Sequence, residues 1–198
     1  MIQSMKPQIE PSHYFNESYD SKGRFISYWH QIHGIIRLRP KRVLEIGIGN
    51  GFVSEYLKER RANVLTLDID KNLNPDIVGS VLDVPFSDNS FEVVVCYELI
   101  EHLQYENFYK AFSEIFRVSK SYAILSLPDA SRVYCLYVQI PKIGVFKRLI
   151  SLPRLKNSIH KFNGEHYWEI GKAGYPLNKI TKDIEKAGFN IKKNIQNF

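Results

Sequence analysis

Apolar residues along the chain switch repeatedly between a helical period and short continuous runs, and that alternation carries the first reading of the fold. After a polar, turn-rich stretch over residues 1–20, Phe25, Tyr28, Trp29, Ile32, Ile35 and Ile36 recur at helical spacing up to a stop at Arg39-Pro40. Arg42-Val43-Leu44-Glu45-Ile46-Gly47 is a short apolar run ending in glycines and reads as a buried strand. Phe52 to Arg60 predicts a helix, Asn63 to Asp68 a second strand, Ile77-Val78 a short third and Phe91 to Tyr97 a fourth. Phe108, Phe112, Ile115 and Phe116 mark an amphipathic helix, followed by a fifth strand, Tyr122 to Leu127, that stops at Pro128. Residues 176–187 predict a last helix, with Pro176 suited to its first turn and Gly188 to its end, and Phe189-Asn190-Ile191 begins a final strand.

Strands apolar on both faces and alternating with helices imply an α/β architecture, a doubly wound, mostly parallel sheet covered on both sides. The whole of 1–198 reads as one domain, with an N-terminal helical segment over 1–40 and a lid-like insertion over 129–170. Ligands in such sheets bind at the carboxyl ends of the strands, where the strand order reverses. Those ends are where chemistry-bearing residues count.

One of them carries Glu45-Ile46-Gly47-Ile48-Gly49-Asn50-Gly51, between a predicted strand and a predicted helix. Glycines there permit a sharp turn and the close approach of a ligand. Asp68 ends the next strand 21 residues after Gly47, the place for a carboxylate that accepts hydrogen bonds from both hydroxyls of a ribose. The spacing is G-x-G-x-G, with Phe52 where a dinucleotide fingerprint would place its third glycine, which counts against a nicotinamide-dependent oxidoreductase. Glu45, two positions before the first glycine, suits a ligand end bearing an ammonium group better than a pyrophosphate.

With these residues the chain resembles the class I S-adenosylmethionine-dependent methyltransferases, in the small-molecule, type 11-like branch. Val43 to Gly51 resembles the motif that binds the methionine part of the cofactor, and Asp68 the acidic residue that holds its ribose, with Ile69 beside it. Val81 to Val94 resembles the stretch that contacts adenine, which casts Asp83 as partner of the adenine amino group and Leu82 as neighbour of the ring. Cys96-Tyr97-Glu98-Leu99-Ile100-Glu101-His102-Leu103 is similar to the loop after the fourth strand, with Tyr97 at the cofactor. The resemblance implies S-adenosyl-L-methionine as cofactor, held by Glu45, Gly47, Gly49, Gly51, Asp68, Ile69, Leu82, Asp83 and Tyr97. The Asn/Asp-Pro-Pro-Tyr/Phe motif of amino methyltransferases that act on adenine or glutamine is replaced by Cys96-Tyr97-Glu98, so methylation of nucleic-acid bases by that route is not expected. The family closes its sheet with an antiparallel seventh strand. The sequence reaches Phe198 too soon after its sixth for that hairpin, so the expected edge is abbreviated or truncated.

Methyl transfer from a sulfonium is an in-line displacement, so the protein positions the acceptor and, where required, takes its proton. The histidines that could do so are His102, just past the fourth strand, which reads also as a helix-start residue bonded to the backbone, and His166. The stretch His160 to Glu169 reads equally as an acceptor pocket or as a turn docking Trp168 on the core. His160 and His166 are six positions apart, a spacing that matches no standard metal motif, so no metal site is expected.

Composition adds little until charge is located. Hydrophobic residues are 44% and charged residues 24%, ordinary for a globular chain, with Lys and Arg exceeding Asp and Glu by 27 to 21. Residues 130–164 hold seven Lys or Arg and no Asp or Glu, interleaved with Tyr134, Tyr137, Phe146 and aliphatics. The positive balance therefore belongs to that segment: a lid facing a small-molecule, amphiphilic or acidic acceptor, or a peripheral contact with an anionic membrane. Cys96 and Cys135 lack paired spacing, the N-terminus has no apolar signal core, and no stretch has the length of a membrane span, so a cytoplasmic setting is expected. The functional expectation is transfer of a methyl group to a small-molecule or lipid-like acceptor. The alternative is a catalytically silent module that binds S-adenosylmethionine and acts through a partner.

Overall fold

A computed structural model describes residues 7–131, 133–151 and 158–192. Its centre is a five-stranded parallel sheet in the order β3-β2-β1-β4-β5. The strands are β1 (Val43–Ile46), β2 (Val64–Asp68), β3 (Ile77–Val78), β4 (Phe91–Tyr97) and β5 (Ser119–Ser126). All four residues of β1 are buried, because β2 and β4 flank it and both its faces are covered. Side chains alternate across the pleat. Val43, Val64, Val93 and Val95 face Tyr28 and Ile35 of α1 (Lys22–Leu38) and Val53 and Leu57 of α2 (Phe52–Glu59). Leu44, Ile46, Leu67, Val94 and Cys96 face the other way, onto Phe108, Phe112 and Ile115 of α3 (Phe108–Val118) and Ile180 of α4 (Leu177–Lys186). The chain winds outward through β2 and β3, then returns to the other side of β1 as β4, so the order reverses between β1 and β4. A crevice is expected beyond Ile46 and Tyr97.

Two segments depart from the sequence expectation. Phe189-Asn190-Ile191 does not start a strand: α4 ends on Gly188 at φ 107°, which turns the chain back, and the Phe189 ring packs on Phe112 and Phe116 of α3 at centroid distances of 6.1 and 5.2 Å. The aromatic residue that suggested a strand is thus used against a helix. Residues beyond 192 lie outside the described structure, and β5 is the edge of the main sheet among the described residues. The basic segment, for its part, is an antiparallel hairpin of β6 (Val133–Ile140) and β7 (Gly144–Ser151), in register from Val133↔Ser151 to Ile140↔Gly144 and separate from the main sheet. Lys142 and Gly144 take the positive φ values its tight connection requires. Tyr134, Leu136, Tyr137, Ile143 and Phe146 are all more than half exposed on it.

Beyond the hairpin the chain is tied back to the core. Ile170 N–H donates to the Pro128 carbonyl (3.1 Å) and Ala130 N–H to that of Ile170 (2.8 Å). Trp168 is fully buried, with its ring against Tyr105, Phe108 and Tyr175 and its indole N–H donating to the Leu103 carbonyl at 3.2 Å. The stretch His160 to Glu169 therefore does dock Trp168 onto the core. Replacing Trp168 by Ala leaves a large cavity and an unsatisfied carbonyl, and should cost about 3–5 kcal/mol of stability in urea unfolding, with Trp168→Phe markedly milder.

Candidate functional site

The turn after β1 is forced by contacts on both sides. Gly47 N–H donates to the Leu67 carbonyl at 2.8 Å while its φ is 83°, and a Cβ there would overlap the Leu99 side chain. Gly51, at φ 76°, is the N-cap of α2 and accepts from Ser54 Oγ at 3.1 Å. Gly49 lies under Tyr14, whose ring atoms come within 3.7 Å of where a Cβ would stand. The loop is pinned to the end of β2 by Asp68, whose Oδ2 accepts from Ile48 N–H (3.0 Å) and Oδ1 from Asp70 N–H (2.8 Å). Burial raises the Asp68 pKa above the usual carboxylate value, against the effect of these backbone donors. Each oxygen keeps a second lone pair for a further donor.

These elements enclose a cleft of about 1160 Å³, part of it open to solvent, at the strand-order reversal. Of the residues expected to hold the cofactor, Glu45, Gly47, Gly49, Asp68, Ile69 and Tyr97 line it. Glu45 is 3% exposed, its Oε2 has no hydrogen-bond partner among the described residues, and burial pushes its carboxyl up to about 8. The Tyr97 hydroxyl is likewise buried without a partner, and burial raises its pKa well above the ordinary phenol value. A ligand offering an ammonium and further polar groups fits these orphaned atoms, and one offering vicinal hydroxyls fits Asp68. The S-adenosylmethionine skeleton has both, so the residues present suit it.

Gly51, Leu82 and Asp83 are not part of the lining: Gly51 caps α2 behind the loop, Leu82 is buried in the core and Asp83 is exposed. The stretch after β3 reaches the cleft through Gly79, Ser80 and Val81 instead, with Gly79 N–H bonded to the Asp68 carbonyl at 2.9 Å. Sequence reading also missed most of the outer wall. Pro7, Gln8, Ile9, Tyr14 and Tyr19 close the cleft from the N-terminal side, where His13, Tyr14 and Tyr19 meet edge-on at 5.4–5.6 Å. Tyr28 lines it and donates to Asn50 Oδ1 at 3.1 Å, whereas Trp29 is exposed and stacks on His33. The only signal for Tyr14 and Tyr19 was aromatic residues in an otherwise polar stretch. No described residue of 130–164 lines the cleft.

The loop after β4 supplies the remaining wall through Glu98, Leu99, His102 and Leu103, with Glu98 at φ 47°. His102 Nδ1 lies 3.0 Å from the Glu165 carbonyl, and burial lowers its pKa. His166 does not reach the cleft but meets the His102 ring edge-on at 5.0 Å. His160 turns away from them, its Nε2 donating to the His166 carbonyl at 2.8 Å.

Comparison with known proteins matches this geometry. Residues 44–127 match the family model described as a methyltransferase domain. Over 88 residues the chain is 34% identical to the uncharacterized protein MJ0638 of Methanocaldococcus jannaschii, a match covering 41% of this chain and 38% of that protein. Among solved structures, DesVI of Streptomyces venezuelae superposes with a TM-score of 0.58 at 11% identity, over 93% of this chain and 92% of that one. A SAM-dependent methyltransferase from Archaeoglobus fulgidus gives 0.55 at 16% identity, over 91% and 75%. At such identities the two structures speak for the fold. The family match spans β1 to β5, so residues 44–127 match a methyltransferase domain, and the two solved structures share the fold on which it is built.

Proposed function

We propose that the protein transfers a methyl group from S-adenosylmethionine to a small-molecule or lipid-like acceptor. The observation that carries this is the charge of the cleft. In a chain with a formal charge of +6, the described lining holds Asp68, Asp70 and Glu98 against the guanidinium of Arg24, which rests on the Tyr19 ring at 4.3 Å, and Glu45 adds a further negative charge once a ligand cation draws off its proton. Such a cleft favours a cationic ligand over a dinucleotide pyrophosphate. The cofactor supplies an electrophilic methyl on a sulfonium; the chain holds and shields it. In this reading Asp68 takes the ribose hydroxyls, Glu45 and the 47–51 loop the amino-acid end, and Ile69 with Ser80 and Val81 the adenine. Tyr14 and Tyr19 exclude water from the other side, which strengthens each of these charge interactions.

The hairpin supports an amphiphilic or acidic acceptor. Its exposed Tyr134, Leu136, Tyr137, Ile143 and Phe146 stand beside the exposed cations Lys142 and Arg148, a surface suited to an anionic lipid interface as well as to an amphiphile. No helix among the described residues is long and apolar enough to cross a membrane, so such contact would be peripheral.

Incubation with labelled methyl donor and a cellular extract, followed by organic extraction, should move label into a small product, and no transfer by a chain that binds the donor would favour the silent module. In calorimetry with S-adenosylhomocysteine, Asp68→Ala should weaken binding by about 1.5–3 kcal/mol through loss of charge-assisted bonds, and unchanged affinity would reject the ribose assignment.

Glu45 adds a pH signature with a definite sign. Its folded carboxyl titrates near 8 instead of its ordinary 4.5, so in the unliganded chain it contributes stability that is present below pH 4.5 and is lost as pH rises through 8. A bound ammonium favours the carboxylate and lowers that value, so binding expels a proton. Affinity should therefore climb with pH between about 5.5 and 7.5, by up to about tenfold per unit, and calorimetry in buffers of different ionisation enthalpy should register the proton. Glu45→Gln should flatten both.

A further inference from the structure

Glu101 is fully buried, and neither of its carboxylate oxygens has a hydrogen-bond partner among the described residues. A carboxyl group removed from water with both oxygens unsatisfied is costly and calls for a partner. Burial, and the nearby charge of Glu98, raise its pKa well above the usual carboxylate range. Beside it stand two possible ligands, the next residue, His102, and His166, which comes from 64 positions further along the chain, with the carboxylates of Glu98 and Glu169 also near enough to act on it. Two ties hold the later segment there: Tyr167 N–H donates to the Glu101 carbonyl at 2.9 Å, and the Trp168 indole N–H to that of Leu103. One donor atom from each of Glu101, His102 and His166 lies within 4.8 Å of the others.

The two imidazoles are also oriented. His102 Nδ1 faces the Glu165 carbonyl at 3.0 Å; a carbonyl can only accept, so Nδ1 carries the proton and Nε2 of the neutral ring keeps a lone pair. His166 Nδ1 meets Glu169 Oε1 at 3.1 Å, which fixes the same tautomer. An imidazole whose Nδ1–H is held by a carbonyl or carboxylate while Nε2 is left basic is the arrangement that supports a histidine metal ligand.

We propose that Glu101, His102 and His166 form a three-ligand site for a divalent transition cation of the zinc class. Two imidazole nitrogens and one carboxylate match that ion's preference and leave a fourth position for water or a substrate oxygen. Zinc at 2.0–2.1 Å from each ligand sets tetrahedral donors about 3.4 Å apart, so the cluster contracts on binding through side-chain rotation. The cation satisfies one of the two orphaned Glu101 oxygens, and a water in the fourth position can donate to the other. Because His102 lines the cleft, it also places a Lewis acid in the wall next to the loop after β4. Its use in catalysis rests on the methyl-transfer reading and makes the acceptor an oxygen compound. A hydroxyl bound to the cation loses its proton to water, the oxygen takes the methyl from the sulfonium sulfur, and a methyl ether and a neutral thioether remain.

The test uses the full chain without a histidine tag, stripped with chelator and dialysed. Titration with Co²⁺ should give visible d–d absorption of a low-coordinate site saturating at one equivalent, and Zn²⁺ should displace it. Calorimetry with Zn²⁺ should show affinity reduced more than about 100-fold in His166→Ala, with no change in His33→Ala on the exposed part of α1. Glu101→Gln, which keeps the volume, answers the same question if His166→Ala fails to fold. S-adenosylhomocysteine binding, measured separately, should survive in the metal-site variants. A chain that binds S-adenosylhomocysteine but takes up no stoichiometric Zn²⁺ or Co²⁺ overturns the cation site and leaves the cofactor reading standing, and equal Zn²⁺ affinity in a folded His166→Ala or Glu101→Gln overturns it as well. Metal uptake lost in those variants, by a chain that binds no S-adenosylhomocysteine, upholds the site and overturns the function.

Discussion

The central strand β1 is the constraint on which the rest depends. It is paired on both edges, with Ile46 level with Leu67 of β2 and with Cys96 of β4, and buried on both faces. A slip of one residue would exchange Leu44 and Ile46 with Val43 and Glu45 between the two helical layers, so the register is strongly fixed. Because the three strands end level, Gly47, Asp68 and Tyr97 emerge at one crevice. Parity sends Glu45 to the side of Val43, toward α1 and α2, where Ser54 in the first turn of α2 helps hold its carboxyl. The acidic floor of the cleft is therefore a consequence of strand register, and the loop above it is only as well placed as β1 allows.

That dependence explains which parts were legible in the sequence. Strands β1, β2 and β4 are covered on both faces and read as apolar runs interrupted inside only by Glu45, Thr66 and Glu92, and the spacing of the Gly47 loop from Asp68 follows from the parallel pairing of β1 and β2 through one crossover helix. The hairpin gave no such signal: Tyr134, Leu136, Tyr137, Val138, Ile143, Val145 and Phe146 are exposed, and Tyr134, Leu136, Tyr137 and Val138 do not alternate with polar residues, so the period of two is hidden. Phe189 had the composition of a strand start, but Gly188 redirects it to α3. Asp83 shows the limit of carrying a role along a motif, since backbone geometry after β3 presents Gly79, Ser80 and Val81 to the cleft and leaves Asp83 in water. The meeting of Glu101 and His102 with His166 depends on how Trp168 docks, a long-range event that no local spacing records.

Charge is partitioned as sharply as hydrophobicity. The net positive charge of the chain is concentrated in residues 130–164, none of whose described members reaches the cleft, while the cleft is lined by carboxylates. A cation is thus favoured in the crevice, and the amphiphilic or acidic acceptor proposed above would be drawn to the hairpin. Opposite fields at two places on one small domain suit a reaction between a cationic donor and an acceptor of the other sign, and they separate the two ligands before any specific contact forms.

Two buried carboxyls, Glu45 on β1 and Glu101 after β4, stand on either side of the strand-order reversal, each with unpartnered oxygen. A fold selected for stability alone would fill both places with apolar side chains, since burying an acid without a partner lowers stability. Local rules of this kind are broken where function requires it. Glu45 meets the cleft directly, so its desolvation is relieved by a ligand that brings positive charge. Glu101 does not line the cleft but adjoins it through His102, and the cation proposed above would relieve it between the carboxyl and the imidazoles. The same physical debt, placed once in the floor and once behind the wall, would on the two proposals be met by two different cations: one that comes and goes with the cofactor, and one that stays as part of the wall.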